Sequence, residues 1–154
     1  MRTLIFFDLD DVVVDTHGTG RAYPDASEVV PLLSRSCRLA LVTCGSEDVQ
    51  REKLRKSAIA YCFSHLVIVD DPHKKLSKIV SLAALYPEII PEDMIIVDNR
   101  VDQMIPAANS LGYVSVWLRR GKYMNHVPSG SQKPTYTMAS LHEFVEVMKE
   151  RGKL

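Results

Sequence analysis

The chain has 154 residues, 46% of them apolar and 25% charged, and its 19 basic residues are balanced by 19 acidic ones. That length suits one domain, and the composition excludes a disordered, collagen-like or disulfide-stapled chain. A chain with no net charge has no global field to gather nucleic acid or acidic membrane, which leaves only a local patch as a route to either.

The cysteines Cys37, Cys44 and Cys62 are odd in number and show no CxxC spacing. They read as reduced thiols of a cytosolic protein, not as a disulfide frame or zinc site. No apolar run approaches the roughly 18 residues of a membrane span. Leu4 to Phe7 is cut off by Asp8 and Asp10, so the start does not read as a signal peptide. The expectation is a single cytoplasmic domain over residues 1–154, with no membrane partner and no strong nucleic-acid signal.

Five short runs rich in Ile, Val and aromatic residues predict strands: Thr3–Phe7, Arg38–Val42, Leu66–Val69, Met94–Val97 and Tyr113–Leu118. Most are continuous rather than alternating, as in strands buried on both faces. Helical periodicity lies between and after them. Val29, Val30, Leu32 and Leu33 follow Pro24–Asp25, and Ser46 can cap a helix carrying Val49, Leu54 and Ala58. Leu76, Ile79, Val80 and Ala83 share a face, Met104, Ala108 and Leu111 precede a C-cap at Gly112, and Leu141, Phe144, Val145 and Met148 form the last helix. Arg119 to Thr135 reads as a surface loop. The alternation predicts an α/β, three-layer, Rossmann-like domain with a mainly five-stranded parallel sheet.

In such a sheet, ligands bind beyond the carboxyl ends of the strands. The first strand leaves Asp8-Leu9-Asp10-Asp11 there, and the second leaves Thr43-Cys44-Gly45-Ser46. Asp70-Asp71 and Lys74-Lys75 follow the third, and Asp98-Asn99 with Asp102 follows the fourth. Asp8, Asp10 and Asp98 are expected within a few ångströms of one another. Two like charges ~4 Å apart repel by about 1 kcal/mol in water and about 4 at an effective dielectric of 20. Such a cluster needs a proton or a divalent cation, and all-oxygen ligands favour Mg²⁺ over Zn²⁺. Mg²⁺ couples to phosphate, so the expected ligand is a phosphorylated substrate. One carboxylate can attack phosphorus, and a second, two residues on, can protonate the leaving oxygen. The Thr43 hydroxyl and a lysine can hold phosphoryl oxygens.

These residues resemble the motifs of the haloacid dehalogenase (HAD)-like hydrolases over nearly the whole chain. Phe6-Phe7-Asp8-Leu9-Asp10-Asp11-Val12 resembles the first motif, Leu41-Val42-Thr43 the second, Lys74 or Lys75 the third, and Asp98-Asn99-Arg100-Val101-Asp102 the DxxxD of the fourth. The resemblance implies a phosphatase with an aspartyl-phosphate intermediate, Asp8 as nucleophile and Asp10 as general acid/base. It implies Mg²⁺ held by Asp8, the Asp10 main-chain carbonyl and Asp98. Thr43 and one of Lys74 and Lys75 would bind phosphate, and Asp102 would orient the Asp98 loop. Two positions depart from the pattern: Asp11 and Val97 stand where the family often has Gly. Neither removes a catalytic group, though either can slow loop movement.

Between Asp8 and Thr43, and between Thr43 and Lys74, the chain has room for its helices and strands but for no cap domain, only for a small flap near Asp15–Arg21. The resemblance then implies an open site, a small or macromolecular phosphorylated substrate, or a second copy of the chain acting as lid. Other readings stand beside this one. A catalytically idle phosphate- or metal-binding module would use the same scaffold. A signal-receiver domain would need its phosphoacceptor at Asp70 or Asp71, and the order of the remaining groups disfavours it. Arg119, Arg120 and Lys122 read by default as solvated loop charge, His17 and the other histidines as surface or packing residues, and Trp117 as core.

Overall fold

The computed structural model describes residues 1–154. The chain runs β1 (Leu4–Phe7), α1 (Pro24–Ser34), β2 (Arg38–Cys44), α2 (Glu47–Ser57), β3 (His65–Val69), α3 (Lys75–Ala83), β4 (Met94–Asp98), α4 (Met104–Leu111), β5 (Val114–Leu118), β6 (Tyr136–Met138) and α5 (Leu141–Glu150). All strands are parallel, in the order β3-β2-β1-β4-β5-β6.

The sheet has six strands, not the expected five. β6 is only three residues long and follows the 119–135 loop directly, pairing Val116 with Tyr136 and Leu118 with Met138. A run this short carries too few residues for a periodicity of two to register.

β1 is central and wholly buried. Because side chains alternate across a strand, Ile5 and Phe7 face one layer and Leu4 and Phe6 the other. Ile5 and Phe7 pack with Val29, Val30 and Leu33 of α1, Leu54 of α2, and Leu141, Phe144 and Met148 of α5. Leu4 and Phe6 pack with Ile79 and Ala83 of α3 and with Met104 and Ala108 of α4. Both faces are thus covered by helices, which is why the strands read as unbroken apolar runs. No helix is long and apolar enough to cross a membrane.

Two details of the helices differ from the sequence reading. Ser46 occupies the N-cap of α2 but its side chain makes no capping bond. Val49 is 52% exposed, while Gln50 beside it is buried. The α2 face turned inward keeps Leu54 but takes Gln50 and Ser57 in place of Val49 and Ala58, and so carries an amide toward the strand ends. Gly112 does close α4, in the left-handed conformation that favours glycine.

Candidate active site

The register of β1 against its neighbours brings the strand-end groups together. Phe7 lies opposite Leu41 and Val97, so Asp8 follows on the same rim as Thr43 and Asp98. Asp8 donates its main-chain N–H to the Val97 carbonyl, while its Oδ1 accepts from Leu9 N at 2.8 Å. These bonds hold the carboxylate at the mouth of a cleft of about 410 Å³ lined by Asp8, Asp10, Lys53, Lys75, Arg100 and Tyr123, among others.

The two lysines behave differently. Lys75, in the first turn of α3, is 3% exposed and places its Nζ 3.3 Å from Asp8 Oδ1. Burial alone pushes its ammonium toward the neutral form, but the charges of Asp8 and Asp98 outweigh this and hold its pKa above the usual value. Lys74 faces outward, 2.7 Å from Asp70, and its side chain is 58% exposed. The helix turns consecutive residues about 100° apart, so only one of the pair reaches the cleft.

Asp98 ends β4 and has no solvent exposure. Its Oδ1 accepts from the Arg100 N–H at 3.1 Å, and its Oδ2 is buried with no hydrogen-bond partner. Burial, then the charge of Asp8, pushes its pKa up to about 6. A buried carboxylate oxygen without a partner costs stability unless something cationic meets it. Asp98 Oδ2 and the Asp8 carboxylate are oxygen donors, the chemistry a small hard cation takes.

No three acidic, His or Cys side chains converge as metal ligands. The Asp10 side chain turns instead to α2 and the flap. Oδ1 accepts from Lys53 Nζ at 2.7 Å and from Thr16 Oγ1 at 2.5 Å, and Oδ2 from Gln50 Nε2 at 2.9 Å. Burial alone would raise its pKa, but Lys53, Thr16 and Gln50 together lower it. Asp102 meets the Asp98 loop through Arg100, the residue whose N–H Asp98 accepts: its carboxylate pairs with the Arg100 side chain through two bonds of 3.0 and 2.9 Å. The same loop is tied to β5 by Trp117, whose indole N–H donates to the Asn99 carbonyl at 3.0 Å.

Thr43, expected at the site, is completely buried and its hydroxyl accepts from Gln50 Nε2 at 2.8 Å. Other residues at the site were not singled out in the sequence. Gln50 and Lys53 look like ordinary polar residues of a charged helix, and their i, i+3 spacing was the available signal. Arg100 lies over the Tyr123 ring at 4.2 Å and forms one wall of the cleft. Arg120, read as solvated, is instead packed inside. It makes two bonds to the Asp25 carboxylate, one to the Val12 carbonyl, and lies 3.8 Å from the centre of the Tyr23 ring.

No family model matches the sequence. Curated relatives do. The glyceraldehyde 3-phosphate phosphatase of Methanopyrus kandleri is 32% identical over 140 residues, covering 86% of this chain and 59% of that protein. The protein of the same name from Pyrococcus furiosus is 28% identical over 117 residues, covering 73% of this chain and 48% of that protein. The chain therefore spans less than two thirds of the length of these relatives. Among solved structures, a haloacid dehalogenase-like family hydrolase from Streptococcus pneumoniae superposes with a TM-score of 0.73 at 13% identity, covering 95% of this chain and 98% of that one. The magnesium-bound structure of Bacillus subtilis YfnB gives a TM-score of 0.77 at 13% identity, covering 96% and 99%. These last two likenesses are of fold.

In fold the chain is HAD-like. The two departures from the HAD-like pattern now have physical readings. Asp11 adopts φ +57°, the left-handed region in which glycine is at ease and Asp is among the better-tolerated alternatives. Its Oδ2 lies 2.7 Å from His17 Nδ1, and Gly121 passes so close that a Cβ there would sit 2.5 Å from Asp11 Cβ. Val97 is fully buried in the larger core cluster, where its side chain contributes packing that a glycine would forgo.

Proposed function

We propose that the chain is a Mg²⁺-dependent phosphomonoester hydrolase in which Asp8 attacks phosphorus and carries an aspartyl-phosphate. The observation that carries this reading is the partnerless, buried Asp98 Oδ2 beside Asp8, with the Lys75 ammonium against the same Asp8 carboxylate. The names of the curated relatives support it. Mg²⁺ held by Asp8, Asp98 and the Asp10 carbonyl would supply positive charge to the phosphoryl oxygens.

The roles of the chain's own groups follow from their chemistry. Asp8, at the cleft mouth, is the nucleophile. Lys75 lies against it and presents positive charge where phosphoryl oxygens gather in the transition state. Thr43, at the end of β2, offers its hydroxyl to phosphate. Asp10 gives its proton to the leaving oxygen and later takes one from the attacking water. Lys74 and Asp102 stay outside this chemistry. The cleft is lined largely by polar groups, which suits a small hydrophilic phosphate ester better than an apolar one.

The test is hydrolysis of p-nitrophenyl phosphate and of a panel of phosphate esters that includes glyceraldehyde 3-phosphate. The expected result is turnover that requires Mg²⁺ and disappears in Asp8→Asn. Magnesium binding by calorimetry, with no turnover across the panel, would instead establish an idle binding module.

A further inference from the structure

The Asp10 carboxylate is met only by groups that donate. Lys53 Nζ and Thr16 Oγ1 reach Oδ1, and Gln50 Nε2 reaches Oδ2. Gln50 and Lys53 come from α2 and Thr16 from the segment after β1, so three side chains together fix where this carboxylate sits.

Gln50 is 2% exposed, and its Nε2 also lies 2.8 Å from Thr43 Oγ1 and 3.2 Å from the Cys44 carbonyl, three acceptors sharing the two N–H groups of one amide. Reversing the amide would set its oxygen against that carbonyl. Gly45 packs closely on it, an added Cβ there coming within 3.0 Å of Gln50 Cδ. Lys53 reaches Asp10 from a side chain that is 26% exposed and lines the cleft.

We propose that Gln50 and Lys53 are positioning residues for Asp10: Gln50 a fixed tether joining Asp10 to Thr43, and Lys53 a counter-ion on the cleft wall that holds Oδ1. This rests on the acid/base role given to Asp10 above. In the first step an Asp8 oxygen bonds to phosphorus, the bond from phosphorus to the ester oxygen breaks, and that oxygen takes the Asp10 proton to leave as an alcohol. In the second, water bonds to phosphorus and passes a proton to Asp10 as the Asp8–phosphorus bond breaks, releasing phosphate.

The test compares kcat/KM for p-nitrophenyl phosphate, whose leaving group needs little protonation, with that for an alkyl phosphate from the panel, whose leaving alkoxide needs a proton. With Mg²⁺ present, Gln50→Leu and Lys53→Met are expected to lower the alkyl value about 10- to 100-fold and the aryl value by less than about 3-fold. Lys53→Arg should restore most of the alkyl activity. Equal losses on both esters, or no loss, overturn the assignment, because a merely structural role would not separate them. If Gln50→Leu fails to fold, the partly exposed Lys53 carries the test. Wild-type turnover of neither ester class overturns the hydrolase reading and this assignment with it. Turnover of the aryl ester alone overturns the assignment and leaves the hydrolase reading standing.

Discussion

Lys75 Nζ lies 3.3 Å from Asp8 Oδ1, and both side chains are almost withdrawn from water. That places a buried positive charge directly against the carboxylate assigned as nucleophile. Its neighbour Lys74 spends its charge on Asp70 at the surface.

Lys75→Met should therefore lower kcat by about 100- to 1,000-fold, the range seen when a charge-stabilising donor is removed. Lys74→Met should leave kcat within about 2-fold, since exposed ion pairs contribute little. Steady-state assays on the same ester decide this, and equal effects would show that the burial difference is irrelevant.

Asp98 makes a pH-dependent prediction. Its folded pKa, about 6, lies above the ordinary 3.8, so the folded state holds the proton more tightly than the unfolded one. The resulting penalty is absent well below pH 4, grows as the pH rises through 4 to 6, and is complete above 6. In metal-free buffer Asp98→Asn should be more stable than the parent at pH 7.5, by about 2–3 kcal/mol at most. The gain should vanish near pH 4. Urea unfolding with a chelator at the two pH values measures it, and a gain independent of pH would contradict the assignment.

Arg120 and Asp25 join the 119–135 loop to the start of α1, and Asp25 also accepts from Leu141 N at 2.8 Å at the start of α5. Removing one member of a largely buried pair strands the other. Arg120→Ala is expected to cost about 3–5 kcal/mol, chiefly through the uncompensated Asp25 charge. Chemical denaturation should show a lower midpoint, and Asp25→Asn in the same background should recover part of the loss.

Gly121 has φ +74°, and a Cβ on it would lie 2.5 Å from Asp11 Cβ. Gly121→Ala therefore combines a disfavoured backbone with a clash. It should destabilise by about 1–3 kcal/mol in thermal unfolding. Asp11→Val, which forces a β-branched residue into the left-handed region, should also destabilise, whereas Asp11→Asn should be nearly neutral.

What could be read from the sequence was whatever one stretch of chain states by itself. Phe6-Phe7-Asp8 and Val97-Asp98 are apolar runs ended by a charge, and they mark strand ends wherever they occur. Gln50 was not legible, because a buried amide on a charged helix has the same local signature as an exposed one, and its acceptors Asp10 and Thr43 belong to other elements. Arg120 was misread for a similar reason: its partner Asp25 lies 95 residues earlier. The choice between Lys74 and Lys75 depended on the exact phase of α3, which two adjacent lysines leave open. β6 was missed because its three residues are held by pairing with β5 and not by a pattern of their own.

The close approach of Gly45 to the Gln50 side chain binds these two positions to a shared fate. Any side chain at 45 must compete for the volume that the amide fills, so exchanges at the two sites cannot be independent. Part of the harm of Gly45→Ala should be relieved once position 50 is shortened to alanine, although the φ of +154° at 45 keeps the relief incomplete. A lineage wishing to discard the tether could do so only by altering the turn after β2 in step with it.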